Sequence, residues 1–319
     1  MNKVIMSVGV TSLLAFGLSI APAQAQLSRT YVSAAVGNDG NNCDRPTPCR
    51  TFQGAHEKTN SDGEITVLDP GGYGAVSITK SISIVNDGGG EASILVSGGG
   101  NGITVIAGPA SYVNLRGITV QGIGFGGGHG IQLNSAFALT ITNCVIRNLN
   151  TRGLSLSPSV SSPNTTQIVV SDTLVADNGA EGIIIIPSGN GVVRGVLTRV
   201  QSVNNSSDGI FVTGSSSNGA VKVTVQDSVA ANNGSFGLRG SSAAATTAVM
   251  AIGSSLVNNN VGVVADGGSA SVRLGRSVIT GNNTSTQIMG GASLSSYGDN
   301  NIDGNGNAPE PVLPVIAKK

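Results

Sequence analysis

The chain of 319 residues has no tryptophan, 3% aromatic residues and 11% charged ones. A core built round large rings is excluded, and so is a disordered chain held open by its own charge. Lys plus Arg and Asp plus Glu number 17 each, so no net field draws the protein to nucleic acid or to an anionic membrane. Histidine and cysteine are scarce, with 2 and 3 residues, which leaves little material for a metal centre or a disulfide-rich scaffold. Past residue 25 no stretch is apolar enough to span a bilayer. What abounds is glycine, 47 residues, alongside Val, Ile, Ser, Thr and Asn. That is the material of short strands and tight corners.

The first residues read as a targeting segment. Lys3 gives a positive start, residues 4–20 are mostly apolar, and Ala23-Gln24-Ala25 fits a small-x-small cleavage pattern. Residues 1–25 are therefore expected to be a signal peptide, and the mature chain periplasmic or secreted. Export makes a Cys43–Cys49 disulfide the natural use of Cys43-Asp44-Arg45-Pro46-Thr47-Pro48-Cys49. A zinc site there would need further ligands, and only His56 is near. No metal site is expected.

From about residue 102 to residue 305 one pattern recurs. Gly102, Gly130, Gly153, Gly182, Gly209, Gly237 and Gly262, each followed by Ile, Leu or Val, stand 28, 23, 29, 27, 28 and 25 residues apart. A period of that order signals a solenoid. Strands such as Ile131-Gln132-Leu133-Asn134 and Ile210-Phe211-Val212-Thr213 follow the glycines, and their first and third side chains are expected to point inward. A second column runs through Ile141-Thr142-Asn143-Cys144, Val170-Ser171-Asp172-Thr173, Leu197-Thr198-Arg199-Val200, Val225-Gln226-Asp227-Ser228 and Ile252-Gly253-Ser254-Ser255. Its last residue is small or β-branched, as a tight bend requires, and Cys144 is expected there as a buried thiol. An Asn-rich corner comes next: Asn148, Asp177-Asn178, Asn204-Asn205, Asn232-Asn233, Asn259-Asn260 and Asn282-Asn283. Asn tolerates left-handed backbone, and amides stacked about 4.8 Å apart can bond from coil to coil. Residues 26–64 are expected to form an N-terminal cap, with a strand at 30–35 and a helix at 51–60. Residues 65–307 should form the coil and 308–319 a loose tail.

The repeat, the corner asparagines and the segment from Tyr31 to Ile84 resemble the right-handed parallel β-helix proteins of the pectin-lyase-like superfamily, in particular exported bacterial members without assigned activity. The resemblance implies an all-β, single right-handed parallel β-helix. It also implies two chemistries to look for. The hydrolase type uses clustered carboxylates with a Gly-His-Gly element. Gly128-His129-Gly130 matches that element, while the carboxylate and Arg-Ile-Lys elements are missing. The lyase type uses carboxylate-held calcium and a basic residue that takes a proton next to a uronate carboxylate.

Three surface groups follow from the repeat. The residues preceding the glycines, Asn101, His129, Arg152, Glu181, Asp208, Phe236 and Val261, form the most chemically varied column. His129, Arg152, Glu181 and Asp208 are the catalytic candidates, with a solvated turn as the plainer reading. Asp172, Arg199 and Asp227 occupy one place on successive coils and read as a charge ladder, with a calcium or acidic-sugar site as the alternative. Arg199 between two acids neutralises what calcium would use. Outward-facing Ile184, Ile186, Phe211 and Val264 read as an apolar partner patch, unless a loop such as residues 157–166 covers them.

On these grounds the first expectation is an exported, non-catalytic β-helix that binds a polysaccharide or a cell-surface partner. A lyase or glycoside hydrolase acting on an acidic polysaccharide is the alternative. Homo-oligomerisation through the apolar patch is a further expectation. No cofactor, nucleic acid partner or membrane span of the mature chain is expected.

Overall fold

Alternating aliphatic residues broken by Asn, Asp and Gly every few positions cannot make long strands, and the chain coils instead. The computed structural model describes residues 27–318 apart from Phe125 and Ala308; the expected signal peptide lies outside the described residues. Three sheets of 9, 11 and 10 strands form the walls. Each coil runs through a first-sheet strand that follows the repeat glycine, then a second-sheet strand and a short third-sheet strand. Each strand pairs in parallel with its counterpart one coil on, as Ile183, Ile184 and Ile185 do with Ile210, Phe211 and Val212. The fold is a parallel β-solenoid of about nine turns, as expected.

The inward positions stack into one aliphatic column. Ile131, Leu154, Ile183, Ile210, Leu238 and Val263 are all fully buried, each contributing about 1.5–3 kcal/mol through its removal from water.

Two corners turn the chain with left-handed residues. Asn143, Asp172, Arg199, Asp227 and Arg276 have φ of 54, 51, 51, 48 and 50° between the second and third sheets. Asn148, Asp177, Asn204, Asn232 and Asn258 have φ of 57, 57, 56, 56 and 56° before the return to the first. Asn and Asp accept this backbone at little cost, whereas Arg199 and Arg276 do so against the usual preference.

Behind the second corner runs a buried ladder of amides. Asn178 Nδ2 donates to Asn205 Oδ1 at 2.8 Å, Asn205 to Asn233 at 3.0 Å, Asn233 to Asn259 at 3.0 Å, Asn259 to Asn282 at 3.2 Å and Asn282 to Asn305 at 2.9 Å. Each Oδ1 also accepts the backbone N–H of the Asn one coil earlier, as Asn233 Oδ1 does from Asn205 N at 3.1 Å. The pairing corrects the expected register by one residue at two coils. The ladder residues follow Asn258 and Gly281, rather than Asn259 and Asn282 opening those corners. A similar slip places Ser254, not Ser255, in line with Ser228 and Ser277.

The first corner carries its own ladder, of hydroxyls. Ser228, Ser254 and Ser277 Oγ accept the backbone N–H of Val200, Ser228 and Ser254 at 3.1, 3.2 and 3.2 Å. Cys144 begins this column, where its N–H meets Thr173 Oγ1 at 3.3 Å. Burial pushes its thiol up to about 11, so it stays protonated at neutral pH.

At the N-terminal end the helix Phe52–Lys58 is shorter than expected. Thr51 opens it by accepting from Gly54 N–H at 3.0 Å, and the strand Thr59–Val67 begins at once. Cys43 and Cys49 are disulfide-bonded and fully buried. Buried His56 accepts from Thr79 N–H at 3.3 Å, so it serves as a hydrogen-bond acceptor.

The last residues pack more closely than a loose tail would. Glu310 Oε1 ends the amide ladder by accepting from Asn305 N and Nδ2 at 3.1 and 2.9 Å. Leu313 is buried, and Ile316 N donates to Ser296 O at 2.9 Å.

The glycines and the ladder impose one constraint. A Cβ on Gly182 would lie 2.6 Å from Asn205 Nδ2 and 2.9 Å from Gly209 O; on Gly209 it would lie 2.6 Å from Asn233 Nδ2 and 2.9 Å from Gly237 O. Denaturant unfolding should show Asn205→Ala destabilised by about 1–3 kcal/mol, because it strands buried donors of Asn178. Gly209→Ala should cost a comparable amount through the clash alone, and an unchanged midpoint in either variant would contradict the packing described.

Candidate functional site

Because each repeat glycine is pinned against the ladder, the residue before it is held on the outside of the coil at the edge of the first sheet. The backbone bonds follow this alignment: Gly130 N donates to Arg152 O, Gly153 N to Glu181 O and Gly182 N to Asp208 O. His129, Arg152, Glu181 and Asp208 therefore stand one above another on four successive coils, about 4.8 Å apart along the backbone. The structure brings the four expected residues into one strip.

Within the strip the side chains are partly paired. Arg152 Nε meets Glu181 Oε2 at 2.8 Å, with side chains 33% and 15% exposed. His129 Nδ1 lies 2.7 Å from Thr151 Oγ1. Burial, with the Arg152 charge second, lowers the pKa of His129 against the opposing pull of Glu181. Gly128 in the Gly-His-Gly element has a packing reason of its own: a Cβ would lie 2.8 Å from Gly99 O.

Asp208 is the outlier. It is 3% exposed, and its Oδ1 accepts the Phe236 N–H at 3.3 Å. Burial pushes its carboxyl up to about 6, Glu181 adds to the rise, and Arg239 opposes it.

Sequence reasoning missed Arg239, which occupies the neighbouring outward column. Its guanidinium lies 4.7 Å from the centre of the Phe211 ring and 5.4 Å from that of Phe236. Nη2 meets Asp266 Oδ2 at 2.6 Å, while Nε is buried with no hydrogen-bond partner among the described residues. The signal was present, since Leu238-Arg239 stands level with Ile210-Phe211. Its apolar neighbours in the column, Ile184, Phe211 and Val264, mask it.

The expected apolar patch is not open. Ile184 and Val264 are 1% and 0% exposed, and Ile186 and Phe211 are half-buried. Arg239 sits between Phe211 and Val264 in the column and leans onto the Phe211 ring. Within residues 157–166, Ser159–Val160 pairs with Ser188–Gly189 one coil on.

In the charge ladder Asp172 bonds Arg199 directly, while Asp227 acts on Arg199 through its charge. Arg199 Nε and Nη2 grip Asp172 Oδ1 and Oδ2 at 2.6 and 2.8 Å, while Asp227 takes Gln226 Nε2 at 3.0 Å. All three side chains are exposed, so the pair adds little stability. Among the described residues no group of three or more His, Cys, Asp or Glu could hold a metal ion. No helix among them is long and apolar enough to cross a membrane.

The raised Asp208 pKa has a direct consequence. The folded chain keeps this proton to about pH 6, whereas an unfolded aspartate releases it near pH 4, so stability falls as pH rises through that window. Unfolding measured at both ends should show Asp208→Asn free of this decline, a difference on the order of 2 kcal/mol. An identical pH dependence in both proteins would mean that Asp208 is not desolvated.

No family model matches the chain, and no curated protein matches its sequence. Solved structures do. Pectate lyase Pel9A superposes with a TM-score of 0.57 at 17% identity, over 92% of this chain and 85% of that one. A polygalacturonase from Erwinia carotovora ssp. carotovora gives 0.46 at 13% identity, over 92% and 97%. The mannuronan C-5 epimerase AlgE4 A-module of Azotobacter vinelandii gives 0.43 at 17%, over 79% and 91%. The likeness to the pectate lyase is one of fold, the parallel β-solenoid that the sheets and their pairing form here.

Proposed function

We propose that the protein acts on an acidic polysaccharide by acid–base chemistry on the first-sheet strip, with Asp208 as the proton carrier. The observation that carries this reading is a carboxylate 3% exposed, which burial pushes up to about 6 and on which the Glu181 and Arg239 charges act. A structural rod has no use for such a group, since desolvating a carboxylate costs stability that an apolar side chain would not. For that reason the reading departs from the non-catalytic scaffold expected first. The fold likeness to a pectate lyase supports the substrate class.

Above pH 6 Asp208 is ionised and suited to act as a base. It takes the proton next to a uronate carboxylate, the freed electron pair forms a C=C bond as the C–O bond to the leaving sugar breaks, and the departing oxygen takes a proton from water, while Asp208 later returns its own to solvent. Arg152, half-buried within the strip, pairs with the uronate carboxylate and stabilises the charge that develops on it. Glu181 keeps Arg152 in place. A hydrolytic reading has one observation in its favour: Glu181 and Asp208 are carboxylates on adjacent coils, as acid and base catalysis of glycoside hydrolysis requires.

Incubation with polygalacturonate and alginate, with and without calcium, separates these readings. Elimination yields unsaturated products; hydrolysis yields new reducing ends without them. Either activity should fall at least about a hundredfold in Asp208→Asn and substantially in Arg152→Ala. Substrate bound without product, or turnover unaffected by Asp208→Asn, would overturn the proposal.

A further inference from the structure

The outer face of the third sheet is free of charge over five coils. Its strands there are three residues long and turn the middle one inward: Val175, Ser202, Ala230, Leu256 and Ile279 are fully buried. The flanking residues therefore point out. From Leu174 to Thr280 the only polar ones among them are Gln201, Ser255 and Thr280. Leu174, Val203, Val229, Val257 and Val278 supply one partly exposed aliphatic side chain per coil. The other sheets carry outward charge on the same stretch of rod, with Arg194, Lys222 and Arg273 on the second and Arg239 on the first. Parallel sheets are usually covered on both faces, and contiguous apolar surface marks a partner site.

The left-handed corners border this face. On the side where the chain enters it, Asn143, Asp172, Arg199, Asp227, Gly253 and Arg276 stand on successive coils; where the chain leaves it, Asp177, Asn204, Asn232 and Asn258 do. Charge thus alternates along one border only. Arg199 gives Nε and Nη2 to Asp172 and keeps Nη1 for a further acceptor. Asp227 has no ion-pair partner among the described residues.

We propose that this face is a dimer interface, covered by a second copy of the chain lying antiparallel, with the two-fold axis between the coils of Arg199 and Asp227. Each Arg199 then opposes Asp227 of the other copy, and Val203 packs against Val229 at the centre. Asp172 faces Gly253 and Arg276 faces Asn143, so no like charges meet. A parallel pair of rods would instead set Asp172 of each copy against Asp177 of the other. A border that matches itself under reversal is what an isologous interface requires, and a lipid surface has no register to read it. Between its borders the face measures roughly 15 Å across and roughly 40 Å along the rod. Pairing it buries on the order of 1,200 Å² in all, the lower end for a stable complex. The face contains none of the strip residues, and its test reads mass rather than turnover, so it stands or falls independently of the acid–base reading.

Sedimentation velocity of the full chain should show monomer giving way to dimer between about 1 and 100 μM, the weak end for an interface of this size. Val203→Lys with Val229→Lys sets like charges at the axis and should weaken association at least about a hundredfold. Arg199→Asp should weaken it about tenfold, and adding Asp227→Arg should restore it by exchanging the two charges. Both positions hold the same left-handed backbone, with φ of 51 and 48°, and each residue type already occupies it, so the exchange separates loss of the interface from loss of the fold. A monomer throughout the range would assign the face to another occupant and overturn the proposal. So would a dimer indifferent to the two lysines, or a charge exchange that fails to recover what Arg199→Asp loses.

Discussion

A side-chain amide passing within van der Waals contact of a glycine Cα sets the geometry of the whole rod. Asn205 and Asn233 send Nδ2 across the corner to the positions that the Cβ atoms of Gly182 and Gly209 would fill, and each Oδ1 gathers two donors from the coil before it. Buried amides of this kind are costly when unsatisfied. A coil displaced by one residue would strand several at once. Register is therefore enforced at the corner, and the aliphatic column beneath only has to fill space. The ladder closes at Glu310, which makes the C-terminal segment part of the same constraint.

The site is a consequence of that registry. With the glycines fixed, the preceding residues face outward in a row, and the chain can place Arg152, Glu181 and Asp208 on successive coils without long loops. Asp208 differs from its neighbours in being cut off from water while its nearest cation, Arg239, is drawn to Asp266 and to two aromatic rings. Its environment, not its sequence neighbours, sets its proton affinity. The second sheet contrasts with it around Arg194, Lys222 and Arg273, which stand exposed on the same rigid support.

The sequence made the solenoid legible because period, glycine and asparagine all report one interaction. It also placed the strip, since residues before a pinned glycine must line up. What it could not report was burial on the outside. Ile184 and Val264 alternate outward as expected, yet they are closed from solvent, an outcome that depends on neighbouring columns and not on alternation. Arg239 escaped notice for the same reason. The one-residue slips at Ser254 and Asn259 follow from like residues standing side by side there, Ser254-Ser255 and Asn258-Asn259-Asn260, while the left-handed residues Gly253 and Asn258 mark the corner. The hydroxyl ladder was hidden behind the reading of Ser228 and Ser254 as merely small.

Native-state hydrogen exchange at the ladder amides tests the central claim most directly. If the buried Oδ1 atoms hold the coils in register, the backbone N–H groups of Asn178, Asn205 and Asn233 should exchange only on global unfolding, as slowly as those of Ile183 and Ile210 in the core. Exchange at these asparagines as fast as at the exposed loop residues Ser216 and Ala243 would contradict it.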